Sequence, residues 1–297
     1  MTSNGAHSRP ERIGICYHPA LQGARALAER LARVVEAAGA SAWFSQLDWA
    51  EVDVHLGEHM PQTDVLVCVG GDGTVLHAAG VARGTPAALL GVRMGRLGFL
   101  TECTEAEAED TLARVLRGEG RIEERALVQA SVNGGDPVHA LNDVILGRHT
   151  LGRTISIGAL VNGIVLAEYR ADAVIVATAT GSTGYALSVG GPILHPSSDD
   201  LVLVPVAPHL TKTNPIVLPG GSTRLTLTIE RGEDSVLSVD GGAELIIDAG
   251  SQVDVSLSPL RARFVKLAGP DQFYGNLARR LGWLRADHAL DLGPTGR

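Results

Sequence analysis

Lysine is almost missing from this chain: Lys212 and Lys266 are the only two among 297 residues. Neither follows a glycine in a GK[ST] sequence, which excludes a P-loop, where a lysine must reach phosphates from a glycine-rich turn. The spacing G-x-G-x-x-G after a strand is missing as well, so a dehydrogenase of Rossmann type gains no support. No apolar run approaches the roughly 18 residues that a membrane span needs, and the first ten residues are polar rather than signal-like. Cysteine is confined to Cys16, Cys68 and Cys103, odd in number and widely spaced, which reads as buried thiols in a reducing compartment. The expectation is a soluble cytoplasmic protein with a short frayed N-terminus.

The net charge of −8 lacks the basic face of a nucleic-acid surface. Neither nucleic acid nor membrane is expected as a partner, and any anionic ligand must be held by local groups. An apolar content of 45% allows a large core, and roughly 150 residues per domain suggests two domains. Residues 12–17 are strand-like, residues 21–38 have leucine and alanine at helical spacing with Gly39 as a stop, and residues 65–69 form a strand. A helix from Val75, a strand over 87–92, and a capping box from Thr104 to Glu107 follow. Such βα alternation predicts a Rossmann-like three-layer α/β unit, a parallel sheet covered by helices, over residues 1–122.

From about Glu119 the texture changes to short β-branched runs broken by Asn133-Gly134, Asn162-Gly163, Pro219-Gly220 and Gly241-Gly242. Residues 156–161 and 164–169 flank Asn162-Gly163 as the arms of a type I′ hairpin. A β-sandwich-like unit is expected over 123–268. A C-terminal helix and tail over 269–297 return to the first unit or seal the junction.

The run Gly70-Gly71-Asp72-Gly73-Thr74 follows the apolar stretch 64–69, so Asp72 is presented at a strand's carboxyl end, where open α/β sheets place ligands. The flanking glycines let backbone approach a ligand closely and take dihedrals that a Cβ forbids, while the acid stays free to accept a proton or bind a metal. A plainer alternative has Asp72 capping the helix through Val75 and Leu76. Asn142-Asp143 places an amide beside a carboxylate in a predicted strand; at most one of them enters a shared site unless the strand ends there, as Gly147 would allow. The run from Thr178 to Tyr185 follows a strand over 173–177 and precedes a short helical stretch. Its hydroxyls and N–H groups suit ribose or phosphate oxygens. Arg170 and Asp172 share one face of an extended segment just upstream.

These clusters together resemble the NAD kinase family over most of the chain. The matching stretches are GGDGT at 70–74, MGRLGFLTE at 94–102, ALND at 140–143, RAD at 170–172, TGSTGYALSVGGPILHP at 180–196, APH at 207–209 and FYGNLARRLGW at 273–283. GGDGT alone is shared with diacylglycerol, sphingosine and phosphofructokinases, which lack the rest. The resemblance implies ATP-dependent, Mg²⁺-dependent phosphorylation of the 2′-hydroxyl of NAD's adenosine ribose, in a homodimer or homotetramer. It implies Asp72 as general base, with Gly70, Gly71, Gly73 and Thr74 on the phosphate donor and His77 near the phosphates. It places Asp72, Gly73, His77, Asn142, Asp143, Arg153, Arg170, Asp172, Thr183, Gly184, Tyr185, Ala186, Leu187, Ser188 and Ala207 at the dinucleotide. Arg93, Ala173 and Gly242 depart from the family's usual residues. A lipid or sugar kinase of the same superfamily and a non-catalytic dinucleotide sensor are the alternatives.

Two other patterns are set aside. His55-Leu56-Gly57-Glu58-His59 matches the inverted zincin motif, which needs a helix that Gly57 and Pro61 disfavour, so a polar connection is expected. Trp43, Phe44 and Trp49 are expected to pack rather than stack on bases.

Overall fold

A computed structural model describes residues 9–47, 54–95, 98–150, 154–209, 214–230 and 235–283. The first third contains β1 (Arg12–Tyr17), α1 (Ala24–Ala37), β2 (Ser41–Gln46), α2 (Val54–His59), β3 (Val65–Gly70), α3 (Asp72–Ala82), β4 (Ala88–Arg93), β5 (Cys103–Thr104) and α4 (Ala108–Leu116). All six residues of β3 are buried, as a strand covered on both faces requires. It lies between β1 and β4 in parallel register, with β2 outside β1. α1 and α4 cover one face of this sheet and α3 the other, which makes the three layers. Gly39, at φ 77°, ends α1 in the left-handed region that glycine enters without a Cβ penalty. Thr104 and Glu107 complete their reciprocal capping box.

The second part contains β6 (Arg121–Val132), β7 (Val138–Ala140), β8 (Asp143–Arg148), β9 (Ile155–Val161), β10 (Ile164–Ala171), β11 (Ala173–Ala177), α5 (Tyr185–Ser188), β12 (Leu201–Val206), β13 (Ile216–Leu218), β14 (Arg224–Ile229), β15 (Ser235–Val239), β16 (Ala243–Ile247), β17 (Gln252–Lys266) and α6 (Gln272–Arg280). One sheet runs β13-β12-β11-β8-β15-β16. The facing sheet is continuous with the α/β sheet, because the 15-residue β17 pairs antiparallel with β14 and β6 and then lies parallel to β4 at Phe264 and Leu89. Side chains of both sheets, among them Tyr169, Val174, Leu203, Leu227 and Val253, interdigitate in one core. Asn162 and Gly163, at φ 51° and 81°, make the expected hairpin between β9 and β10.

Four local expectations are corrected. α3 begins at Asp72, three residues before Val75, because the turn itself is helical. The segment around Gly57 is the short helix α2 and not an irregular connection; His59, at its end, stacks on Trp43 at 5.2 Å. β8 continues through Gly147, so Asn142 and Asp143 stand at the strand's beginning. The turn after β15 centres on Asp240 and Gly241, with φ 52° and 68°, rather than on Gly241-Gly242. Trp43 packs, its indole N–H donating to Thr63, whereas Trp49 lies outside the described residues. All three cysteines are free and buried. No described helix is long and apolar enough to cross a membrane.

Candidate active site

Asp72 opens α3 immediately beyond the carboxyl end of β3. Its carboxylate turns away from Val75 and Leu76: Oδ2 accepts the Phe99 N–H at 2.8 Å and Oδ1 the Leu100 N–H at 3.1 Å. The capping alternative is therefore not what the side chain does. A Cβ on Gly98 would stand 1.9 Å from Asp72 Oδ1, so this glycine is what lets the two segments close. None of the GGDGT glycines has a positive φ, which corrects the expectation of forbidden dihedrals. Gly70 instead makes room for Thr74, whose hydroxyl would lie 2.2 Å from a Cβ there, while a Cβ on Gly71 or Gly73 would enter open space. The first intrahelical bond runs from Val75 N–H to Gly71 C=O. The N–H groups of Gly73 and Thr74 thus belong to the unsatisfied first turn that suits anions. His77 lies half-buried on the next turn of α3.

Antiparallel pairing sets Asp143, at the start of β8, beside Ala177, at the end of β11. The Asn142-Asp143 pair and the loop that follows β11 therefore meet. Asn142 C=O accepts the Thr178 N–H at 2.8 Å, and a Cβ on Gly181 would collide with that same carbonyl. The hydroxyls were expected to face a ligand; instead Thr178 donates to Leu141 C=O, Ser182 to Ala179 C=O and Thr183 to Thr180 C=O, so they brace the loop. Gly184 leads into α5, where Tyr185 is exposed, Ala186 buried, Leu187 half-buried and Ser188 exposed. Asp240, missed by the sequence reading, accepts the N–H groups of Leu141, Asn142 and Asp143. Its only signal was the turn pair it begins. Burial and the neighbouring Asp240 carboxylate push Asp143 up to about 7.

Val75, Leu76, Leu100 and Leu141 share one core cluster, which joins the Asp72 turn to the Asn142 segment. α6 closes the opposite side: Phe273 and Tyr274 contact His195, and Arg280 Nη1 reaches Asp72 Oδ2 at 3.1 Å. A cavity of about 80 Å³ lies between α6, Phe99, Glu102, Lys266 and His195. The expected return of the C-terminal helix is thus made through side chains at the site itself.

Not all candidates converge there. Arg170 donates to Thr154, Asp172 pairs with Arg148 at 3.1 Å, and the Asp172 N–H bonds Val206 C=O next to Ala207. These residues gather at the beginning of β11, about 13 Å of strand away from Asp143. Ala207 holds a left-handed φ of 46°, uncommon for alanine. Arg153 lies outside the described residues. Among the described residues no group of three or more His, Cys, Asp or Glu could hold a metal.

The ATP-NAD kinase N-terminal domain family matches residues 45–120 and the ATP-NAD kinase C-terminal domain family residues 141–267. An NAD kinase of Dehalococcoides mccartyi is 34% identical, over 91% of this chain and 96% of its own. One from Bordetella avium is 43% identical, over 76% and 77%. Among solved structures, yeast NADH kinase complexed with NADH superposes with a TM-score of 0.79 at 21% identity, covering 97% of this chain and 91% of its own. An Archaeoglobus fulgidus NAD kinase in complex with ATP gives 0.76 at 24% identity, covering 92% and 100%. At those identities the two structures speak for the fold, while the sequence matches carry the family. This chain belongs to the NAD kinase family.

Proposed function

We propose that the protein transfers the terminal phosphoryl group of ATP to the 2′-hydroxyl of NAD's adenosine ribose, giving NADP: a phosphotransferase with an alcohol group as acceptor. The observation that carries this reading is Asp72, a carboxylate aimed by two backbone N–H groups and bordered by open space over Gly71 and Gly73. A ribose hydroxyl is a poor nucleophile, and a carboxylate within hydrogen-bond reach raises its reactivity. Asp72 takes the hydroxyl proton as the oxygen bonds to the γ-phosphorus, the bond to the β-phosphate oxygen breaks, and ADP leaves with that bonding pair.

Gly70, Gly71, Gly73 and Thr74 line the donor's phosphates, with the open first turn of α3 supplying N–H groups. Asn142, Asp143 and the stretch from Thr183 to Ser188, with Tyr185 exposed, receive the dinucleotide; Arg153, Arg170, Asp172, Ala207 and His77 complete the set. Mg²⁺ fits as part of the donor, because a magnesium held by substrate phosphates needs only one or two protein carboxylates. Bound there, it offsets phosphate charge. A homodimer or homotetramer in the cytoplasm is the setting proposed for this chemistry.

Asp72→Asn tests the reading, since the amide keeps the shape and loses the basicity. Turnover of NAD with ATP is expected to drop by roughly two to four orders of magnitude, the usual worth of a general base, with NAD affinity little changed. Comparable turnover in the folded variant would remove Asp72 from the role.

A further inference from the structure

α6 ends on two arginines that do different things. Arg279 folds back on its own helix, donating to Asn276 Oδ1 at 2.8 Å and to Gly275 C=O at 3.3 Å. Arg280 leaves the helix: its Nη1 meets Asp72 Oδ2 at 3.1 Å, and its guanidinium lies 4.0 Å from the centre of the Phe99 ring. Phe99 is the residue whose N–H also donates to Asp72. A cation 208 residues away in sequence is thus seated on the proposed base by two independent contacts.

The bond to Asp72 uses one of the five N–H groups that a guanidinium carries. The Arg280 side chain is still 33% exposed and Asp72 29%, so the pair is open to solvent rather than sealed in the core. The lysine and arginines that line the cavity beside α6 are committed: Lys266 is buried against Glu102 at 2.9 Å, and Arg121 and Arg125 are both bonded to Glu123. A molecule of net charge −8 without a P-loop lysine needs a positive group where the phosphoryl charge moves, and guanidinium matches two phosphate oxygens better than ammonium does.

We propose that Arg280 is a catalytic residue of the phosphoryl transfer, bound to the donor's terminal phosphate. In the free protein it holds Asp72 in place. When a nucleoside triphosphate occupies the opening over Gly71 and Gly73, Arg280 exchanges Asp72 Oδ2 for a phosphate oxygen. That exchange opens an acceptor position on Oδ2, which keeps the Phe99 N–H, for the acceptor hydroxyl, so base and charge clamp become available in the same event. Phe99 keeps the guanidinium in position through it, as a cation over a ring face does.

This assignment rests on the phosphotransferase reading, and the measurements separate the two. Arg280→Met and Arg280→Lys are compared with the unaltered protein for binding of a non-hydrolysable ATP analogue, binding of NAD, NADP formation and thermal midpoint. Arg280→Met is expected to bind the analogue at least tenfold more weakly and to lose about 100-fold or more in kcat, in keeping with arginines that stabilise transferring phosphoryl groups. NAD affinity and thermal midpoint should stay close to those of the unaltered protein. Arg280→Lys should recover only part of kcat, and millimolar free guanidinium should raise turnover of Arg280→Met alone. Unchanged analogue affinity and kcat in Arg280→Met would overturn the assignment. So would equal losses for NAD and analogue with a lowered midpoint that guanidinium does not restore, the pattern of a purely structural contact. If the unaltered protein forms no NADP yet loses analogue binding on Arg280→Met, the acceptor reading fails and the Arg280 assignment stands.

Discussion

Asp143 is 5% exposed and faces a second carboxylate, Asp240, in the turn after β15. Burial first and Asp240 second raise Asp143 to about 7, against an ordinary 3.8. Burial raises Asp240 too, but three backbone N–H groups and Arg83 oppose it, so the proton of this pair resides on Asp143. The unfolded chain ionises near pH 4 and the folded one near pH 7, so the folded state binds more protons between them. The stabilising contribution is full below about pH 4 and is lost as pH rises toward 7. Asp143→Asn mimics the protonated acid permanently and should match the unaltered protein near pH 4 but melt higher at pH 8. Parallel melting curves across that range would refute the assignment. Asn142→Ala tests the neighbouring contact: loss of a neutral hydrogen bond costs about 1 kcal/mol, and NAD titration should show a drop of roughly fivefold. Asp72 and Asn142-Asp143 were legible because glycines and turn pairs single out polar residues beside apolar runs. Gly98 and Asp240 were not, since each serves a partner 26 or about 100 positions away and local pattern has no term for that.

The junction between the two sheets depends on the end of β17. Lys266 Nζ meets Glu102 Oε2 at 2.9 Å, both groups about one-tenth exposed, and Glu102 Oε1 accepts the N–H groups of Leu267 and Ala268. Burial lowers the Lys266 pKa while Glu102 pulls it back. Removing one partner of a buried pair leaves an uncompensated charge, so Lys266→Met should destabilise the fold by about 3–5 kcal/mol. Adding Glu102→Gln to that variant should return part of the loss. Denaturant unfolding measures both, and a Lys266→Met protein as stable as the parent would show the pair to be dispensable. β1, β3, α1 and the β9–β10 hairpin were readable from periodicity and capping signals alone. β17 was harder: Pro259 interrupts its ladder where the register shifts between Leu257 and Arg261, so one 15-residue strand reads as two fragments. α2 was misjudged because Gly57 lowers helix propensity, a weak prior that tertiary contacts routinely override.

At the scale of the molecule, the compositional reading held for the architecture, an α/β layer followed by β-sheets, because alternating elements and short β-branched runs are averaged over many residues. What composition left open is how the sheet edges are covered. β10 forms one edge of the larger sheet and exposes three consecutive apolar side chains, Ile164 and Val165 at 74% each and Leu166 at 38%. β16, at the edge of the other sheet, exposes Ile246 at 72% and Leu245 at 41%. Edge strands offer unpaired backbone groups and are ordinarily blunted by charge or proline, neither of which interrupts residues 164–166. Apolar side chains on an open edge favour association with a second such edge, and the proposed closed homodimer or homotetramer would satisfy both. Val165→Glu places a like charge on each copy of that edge. Light scattering on the purified protein should show the assembly shifting toward monomer, while far-ultraviolet circular dichroism stays unchanged because Val165 contributes little to the core. An unaltered protein that is monomeric at micromolar concentration, or an assembly indifferent to Val165→Glu, would show that the β10 edge does not pair with a second copy.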